Sequence, residues 1–155
     1  MAVPAFFTSM PLADHPGWNS WDLADDTRFN AQVMGQLMVR REGGEDTPRC
    51  RLRMLPEHRH TNLQNMIHGA VTLSLIDISL FSAQHLLGRG DGAMAVTLEV
   101  STQFIGAGDV TRPLDAVVEV LRETGRMMFL RGDVVQEADR VAAFSGVIRK
   151  VYAKP

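Results

Sequence analysis

The chain has 155 residues, which is the size of one ordinary domain and too short for two domains with separate cores. Hydrophobic residues make up 45% of it and charged residues 22%, which excludes a disordered or fibrous protein. The formal net charge of −2 gives no electrostatic reason to expect a nucleic-acid partner. The single cysteine, Cys50, excludes an internal disulfide and favours a reducing compartment.

Residues 1–27 are rich in Pro, Gly, Trp and Asp and show no clear periodicity. We expect a loop-rich N-terminal segment that packs back through Trp18 and Trp21 onto a single domain spanning 28–155. Residues 1–10 carry neither a basic region nor an apolar run of secretory length, so we expect a cytoplasmic protein. The longest apolar stretch, residues 69–87, has Asp77 in its middle, which favours a buried helix over a membrane span.

The hydrophobic pattern predicts two strands, then one helix, then four strands. The first two strands are predicted over about 31–41 and 49–55, and in the second Cys50, Leu52 and Met54 alternate with arginines. Cys50 is therefore expected in the core, and the arginine face is expected to be wet and cationic. The helix is predicted from about His68 to Leu87, and antiparallel strands follow over about 93–105, 114–122, 126–136 and 140–152. This order predicts an α+β architecture in which a curved antiparallel sheet wraps one apolar helix.

Asp77 is the most informative residue of the helix. Aspartate has poor helix propensity, and a buried charge costs several kcal/mol unless it is paired. On composition alone, a solvated edge or a structural ion pair with an arginine explains Asp77 as well as a catalytic role does.

The start of the same helix supports the catalytic role. Gly69 follows His68 and exposes a first-turn N–H, and such amides can hold a developing oxyanion. His68 could equally act only as a helix cap. Asp77 lies nine residues after His68, about 13 Å along a helix, so the two groups can meet only across a two-fold axis between subunits.

These residues together resemble a known family. The pattern begins with Asn62, continues with His68-Gly69-Ala70 six residues on and Asp77 nine residues after the histidine, and ends with Thr97 on the following strand. It is similar to the pattern of the hotdog-fold acyl-CoA thioesterases of the phenylacetate-degradation type. The resemblance covers about residues 31–152. It implies a hotdog fold and hydrolysis of an acyl- or aroyl-CoA thioester. It also implies no metal and no cofactor other than the coenzyme A of the substrate.

The resemblance also implies roles for individual residues. Asp77 would act as general base on water or as nucleophile, and Gly69 N–H would polarise the thioester carbonyl. His68 would help to hold the loop and the substrate. Asn62 would orient the carbonyl or the water, and Thr97 would hold the water near Asp77.

Two further positions bear on substrate binding. Ala70 stands where the family has a second glycine, so a methyl group narrows the approach of the thioester. Arg126, after a tight turn, is a candidate for the coenzyme A phosphates or simply an exposed turn residue. The shared site implies a homodimer or a tetramer made of two dimers.

Other readings of the sequence stay open at this point. A hotdog dehydratase or hydratase would share the fold but use a different His/Asp or His/Glu set. A non-catalytic acyl-CoA-binding module would have no use for a desolvated Asp77. His58 and His60 invite a metal site, although a solvated loop is the more common context for such a pair.

Overall fold

The computed structural model describes residues 7–89 and 94–152. The beginning of the predicted N-terminal segment, residue 93 of the predicted third strand and the end of the predicted domain at 155 lie outside these residues. Within them the chain forms one α-helix and nine strands. The helix is α1, and the elements in chain order are β1 (Phe7–Thr8), β2 (Asn19–Ser20), β3 (Asp22–Leu23), β4 (Leu37–Glu42), β5 (Arg49–Met54), α1 (Gly69–Leu87), β6 (Met94–Phe104), β7 (Leu114–Glu123), β8 (Met127–Gln136) and β9 (Asp139–Val151).

Seven of the strands form one antiparallel sheet in the order β2-β4-β5-β7-β8-β9-β6, while β1 pairs with β3 alone. Helix α1 packs across one face of this sheet, chiefly on β5 and β7. Gly146 on β9 allows this approach, because a Cβ there would lie 2.7 Å from Leu80 Cδ1 of the helix. The predicted α+β architecture, one helix held by a large antiparallel sheet, is confirmed.

Helix α1 is buried along one side and open along the other. By length and mean hydropathy it could span a membrane, yet it lies against the sheet with residues such as Leu75, Ile76 and Leu80 completely buried. The opposite side carries Leu73, which is 41% exposed, and half-buried Asp77. Within one protomer the helix is therefore not surrounded by protein on most sides.

The strand predicted over 31–41 is wrong in its first half. Residues Asn30–Met34 form a single π-helical turn, and the strand begins only at Leu37. Gly35 ends the turn at a φ of +77°, a conformation that glycine adopts without strain. The turn carries Met34 into the core, where its side chain is fully buried.

At its Arg51–Arg53 end, the face of β5 that was expected to be wet is half-buried. The ring of Trp18 lies between two guanidinium groups, 4.3 Å from that of Arg40 and 4.5 Å from that of Arg53. Buried Asp115 on β7 accepts hydrogen bonds from both Arg51 and Arg53. The prediction failed there because one of the two carboxylates that pair with Arg51, that of Asp115, is 64 residues away and leaves no local pattern.

Candidate active site

Asp77 is held by one hydrogen bond from the neighbouring edge strand. The hydroxyl of Thr97 on β6 donates to Asp77 Oδ1 over 2.7 Å. In the described part of the chain no other group bonds to this carboxylate, and no arginine pairs with it. Structural ion pairing within the described residues therefore does not explain Asp77, and its Oδ2 has no hydrogen-bond partner among them.

A bulge in β6 decides that Thr97 faces the helix. Thr97 pairs with Ile148 of β9 and Glu99 pairs with Val147, so Leu98 has no partner and the register shifts there. Before the bulge Ala95 and Thr97 are half-buried, and after it Val100 and Thr102 are. Simple alternation through this strand would have put Thr97 on the outer face. Bulges commonly re-aim side chains in this way.

The N-terminal end of α1 presents one free amide. His68 is the N-cap, and its Nδ1 accepts a hydrogen bond of 3.0 Å from Ala70 N. Val71 N donates to the carbonyl oxygen of His68. The Gly69 amide has no acceptor among the described residues, so it points its N–H at the space before the helix.

The capping bond also sets the tautomer of His68. Because Nδ1 accepts a hydrogen bond from Ala70 N, the ring carries its own proton on Nε2. The side chain is exposed. His68 therefore caps the helix, as one prediction had it, and its Nε2–H donor faces solvent, where the other prediction needs it to hold the substrate.

Asn62 organises the loop that precedes the helix. Its Oδ1 accepts hydrogen bonds from Gln64 N and Met66 N, and its own backbone amide donates to Met66 O. The side-chain amide nitrogen of Asn62 makes no bond within the described residues. The Oδ1 of Asn62 therefore fixes the loop, while the two N–H donors of its Nδ2 remain available for another partner.

The predicted site residues fall into two groups. Asp77 and Thr97 lie at one place, and Asn62, His68 and Gly69 lie at the other. Eight residues of helix, about 12 Å, separate Gly69 from Asp77. Strand β6 connects the groups, because the Phe104 ring lies 3.5 Å from the position that a Cβ of Gly69 would occupy. A single protomer therefore holds the predicted site residues in two groups, here called half-sites, one at each end of β6.

The chain was compared with known proteins. The model of the thioesterase superfamily matches residues 64–143, which include most of both half-sites. The chain belongs to the thioesterase superfamily. This membership makes the protein a thioester hydrolase, and it confirms the resemblance drawn from the sequence. A search of curated proteins finds no match.

Solved structures of other thioesterases share the fold. The PaaI phenylacetic acid degradation protein of E. coli is 19% identical with a TM-score of 0.64, covering 84% of this chain and 88% of that one. A mutant of the PaaI protein from Thermus thermophilus is 21% identical with a TM-score of 0.64, covering 78% and 97%. Zebrafish thioesterase superfamily member 2 is 20% identical with a TM-score of 0.65, covering 81% and 88%.

The two positions expected to bind substrate lie at the surface of this thioesterase. Ala70 is exposed next to the free Gly69 amide. Arg126 is exposed on the turn between β7 and β8 and has no ion-pair partner in the described part of the chain. Counted along the strand ladder from Thr97 through Ile148 and Met128, Arg126 lies about 12 Å from Thr97.

His60 and Cys50 have structural roles, whereas His58 is exposed. His60 is buried, with Nδ1 accepting from Glu57 N and Nε2 donating to Val33 O over 2.7 Å. The residues that the structure describes include no group of His, Cys, Asp and Glu arranged to hold a metal. Burial raises the pKa of the Cys50 thiol to about 12, so it is not a nucleophile at neutral pH.

Sequence reasoning missed the bulge at Leu98 and the contact of Phe104 with Gly69. The bulge has no compositional signal, because β6 alternates apolar and polar residues regularly through it. In the sequence, Phe104 cannot be distinguished from the other apolar residues of the strand. Both features depend on which strand lies beside β6 and which helix lies over it.

Proposed function

We propose that this thioesterase hydrolyses an acyl- or aroyl-CoA thioester to the free acid and coenzyme A in the cytoplasm, and that a homodimer forms each active site. The observation that carries the proposal is Asp77, a half-buried carboxylate with one oxygen held by Thr97 and no cation beside it among the described residues. A purely structural carboxylate at this depth would be expected to have an ion-pair partner. No metal or redox cofactor is needed for this chemistry.

The reaction needs one base and one oxyanion donor, because coenzyme A thiolate is a good leaving group. Asp77 Oδ2 takes a proton from water while the water oxygen attacks the thioester carbonyl. The Gly69 N–H, at the positive end of α1, donates to the carbonyl oxygen as it becomes negative. The C–S bond then breaks, and the coenzyme A sulfur leaves as a thiolate that takes up the proton.

The remaining residues position the substrate in this proposal. Asn62 Nδ2 orients the carbonyl or the water, and His68 Nε2–H binds the substrate beside Gly69. Ala70 narrows the approach of bulky acyl groups. Arg126, which is exposed and has no ion-pair partner among the described residues, contacts the coenzyme A phosphates.

The geometry of β6 supports a shared site. β6 is the last strand of its sheet, eleven residues long, and it exposes Met94, Val96 and Leu98. A long apolar edge of this kind is a template for pairing with another chain. An antiparallel pairing of β6 with its own copy, centred on Ser101 and with the bulged Leu98 left unpaired, puts Thr97 opposite Phe104 of the second copy.

That pairing joins the two halves of the site. Thr97 is bonded to Asp77, and Phe104 contacts the position of Gly69. The base of one protomer therefore comes beside the oxyanion donor of the other, and the two-fold axis generates two such sites. The exposed stripe of α1 around Leu73 would be covered at the same time.

The experiment that tests the activity is release of free thiol from a panel of acyl- and aroyl-CoAs, with wild type, Asp77→Asn and Asp133→Asn. Asp77→Asn should lower kcat by roughly 10²–10⁴ with little change in KM, the usual contribution of a positioned base. Asp133→Asn is the control, since that carboxylate pairs with Arg140 on the outer face of the sheet. Thiol release by Asp77→Asn at the wild-type rate would refute the mechanism. Tight acyl-CoA binding without any thiol release by wild type would indicate a binding module.

Mixing two inactive variants tests the shared site. Asp77→Asn and Gly69→Pro damage different halves, so a heterodimer retains one site in which both halves are intact. Random exchange of subunits should restore about a quarter of wild-type activity, because half the dimers are mixed and each holds one good site. No recovery after subunit exchange, or a fully active monomer in sedimentation, would show that each chain works alone.

A further inference from the structure

A buried glutamine at the end of β8 is tied to the loop behind the proposed oxyanion donor. Gln136 is 1% exposed, and its Oε1 accepts a hydrogen bond of 2.7 Å from Asp109 N. Its Nε2 donates to Asp109 O over 2.7 Å and to Arg112 O over 3.0 Å, with Pro113 O at 3.3 Å. One side chain therefore holds both polar groups of the Asp109 backbone and the carbonyls that follow.

The segment held by Gln136 is the one on which the end of the Asn62 loop rests. Ile67 N donates to Gly108 O over 2.9 Å, and Met66 forms an isolated antiparallel bridge with Asp109. The contact is close, because a Cβ on Gly108 would lie 3.0 Å from the Ile67 side chain. His68 and Gly69 follow Ile67 directly, so the contact between Ile67 and Gly108 lies two residues before the free Gly69 amide.

We propose that Gln136 is a positioning residue for the oxyanion donor, acting through Asp109 and Gly108 on the Ile67–Gly69 segment. The inference rests on the proposed function for its effect on catalysis. Gln136 touches none of the residues in either half-site, and it belongs to a strand in the middle of the sheet rather than to the loop itself. It takes the role because no other side chain in the described residues bonds to the backbone of Asp109 from the core.

The amide group suits this position because it matches a donor and several acceptors at once. The N–H of Asp109 and the carbonyl oxygens of Asp109 and Arg112 are partly buried where they meet the buried Gln136 side chain, and each gains a partner there. An isosteric methionine would fill the same space but remove these bonds, so that Asp109 O would keep only its bond of 3.3 Å from Arg112 N. The loop would then relax toward water and carry Ile67 with it.

The test compares Gln136→Met with Val134→Ala, which removes two methyl groups from a fully buried residue two positions earlier on the same strand. Both variants should lower the melting temperature. Gln136→Met should also lower kcat by about 10-fold or more with KM within about twofold, because the donor is displaced while the binding contacts remain. Val134→Ala should keep the wild-type kcat below its melting temperature.

A second variant approaches the same segment from the other side. Gly108→Ala places a methyl group against Ile67 without touching Gln136, and it should reproduce the loss of kcat with unchanged KM. Should Gln136→Met fail to fold, this variant alone decides. Wild-type kcat in Gly108→Ala, or an equal loss in Val134→Ala and Gln136→Met, would overturn the proposal.

Hydrogen exchange separates this inference from the proposed function. The amides of Ile67 and His68 are bonded to Gly108 O and His60 O, so they should be protected in wild type. Gln136→Met should speed their exchange about 10-fold or more relative to Val134→Ala, whatever reaction the protein catalyses. Unchanged exchange would overturn the positioning role, whereas faster exchange in a protein without thioesterase activity would refute only the proposed function.

Discussion

Replacing Gly69 with proline removes the proposed oxyanion donor while leaving the helix intact. Gly69 is the first residue of α1, the position at which proline is best tolerated in a helix. His68, the preceding residue, has φ −65° and ψ 138°, which lies in the region that a residue before proline prefers. The backbone therefore accepts the ring, and the only hydrogen-bond donor lost is one that has no acceptor in the described part of the protomer.

The expected loss is that of a single oxyanion-hole donor. Such donors contribute about 2.7–4 kcal/mol to transition-state stabilisation, so kcat should fall by roughly 10²–10³. KM should change little, because the donor acts on charge that develops only in the transition state. The melting temperature should stay level or rise slightly, since proline restricts the unfolded chain.

Gly69→Ala is the matched control, assayed by the same thiol release from acyl-CoA. It keeps the N–H, and its Cβ would lie in ordinary contact, 3.5 Å from the Phe104 ring. Its kcat should stay within a few-fold of wild type. Equal kcat in Gly69→Pro and wild type, with both proteins folded, would refute the assignment of this amide. Equal losses in the alanine and proline variants would mean that space, and not the N–H, matters at this position.

Three further outcomes follow from the structure. Thr97→Val should lower kcat by about 10- to 150-fold, which corresponds to the 1.5–3 kcal/mol of a hydrogen bond to a charged group, whereas Thr97→Ser should keep the wild-type kcat. In an Asp77→Asn background, Thr97→Val should lower kcat no further, because the two residues act through the same bond. Gly132→Ala should lower the free energy of unfolding in urea by about 1–3 kcal/mol, because its Cβ would lie 2.3 Å from a backbone oxygen of β7. Gly125→Ala is the control, since its Cβ meets no atom within 4 Å and the free energy of unfolding should stay nearly unchanged. Burial lowers the pKa of His85 below its ordinary value of 6.5, so wild-type stability should fall as the pH drops through that value. In His85→Leu the melting temperature should depend less on pH between about 7 and 5. An unchanged pH dependence in that variant would show that His85 is not the group responsible.

Local pattern alone was enough for much of this protein. The period-two alternation over residues 93–105, the turn residues between the later strands and the long apolar run around Asp77 predicted the helix and the antiparallel sheet within one or two residues at most boundaries. The spacings from Asn62 to His68 and from His68 to Asp77 pointed to the family, and the match to the thioesterase superfamily confirmed it. These signals are local, because side-chain periodicity and motif spacing are properties of short stretches of chain.

Tertiary structure decided the features that depend on distant neighbours. The unpaired Leu98 turns Thr97 toward Asp77, 20 residues away, although the sequence alternates through that point without a break. Asp115 pairs with Arg51 across 64 residues, which helps to make part of an expected wet face half-buried. Periodicity reports which residues share a face of their own element. It carries no information on the strand that pairs alongside or the side chain that lies opposite, and those contacts set the direction of Thr97 and the charge around Asp115.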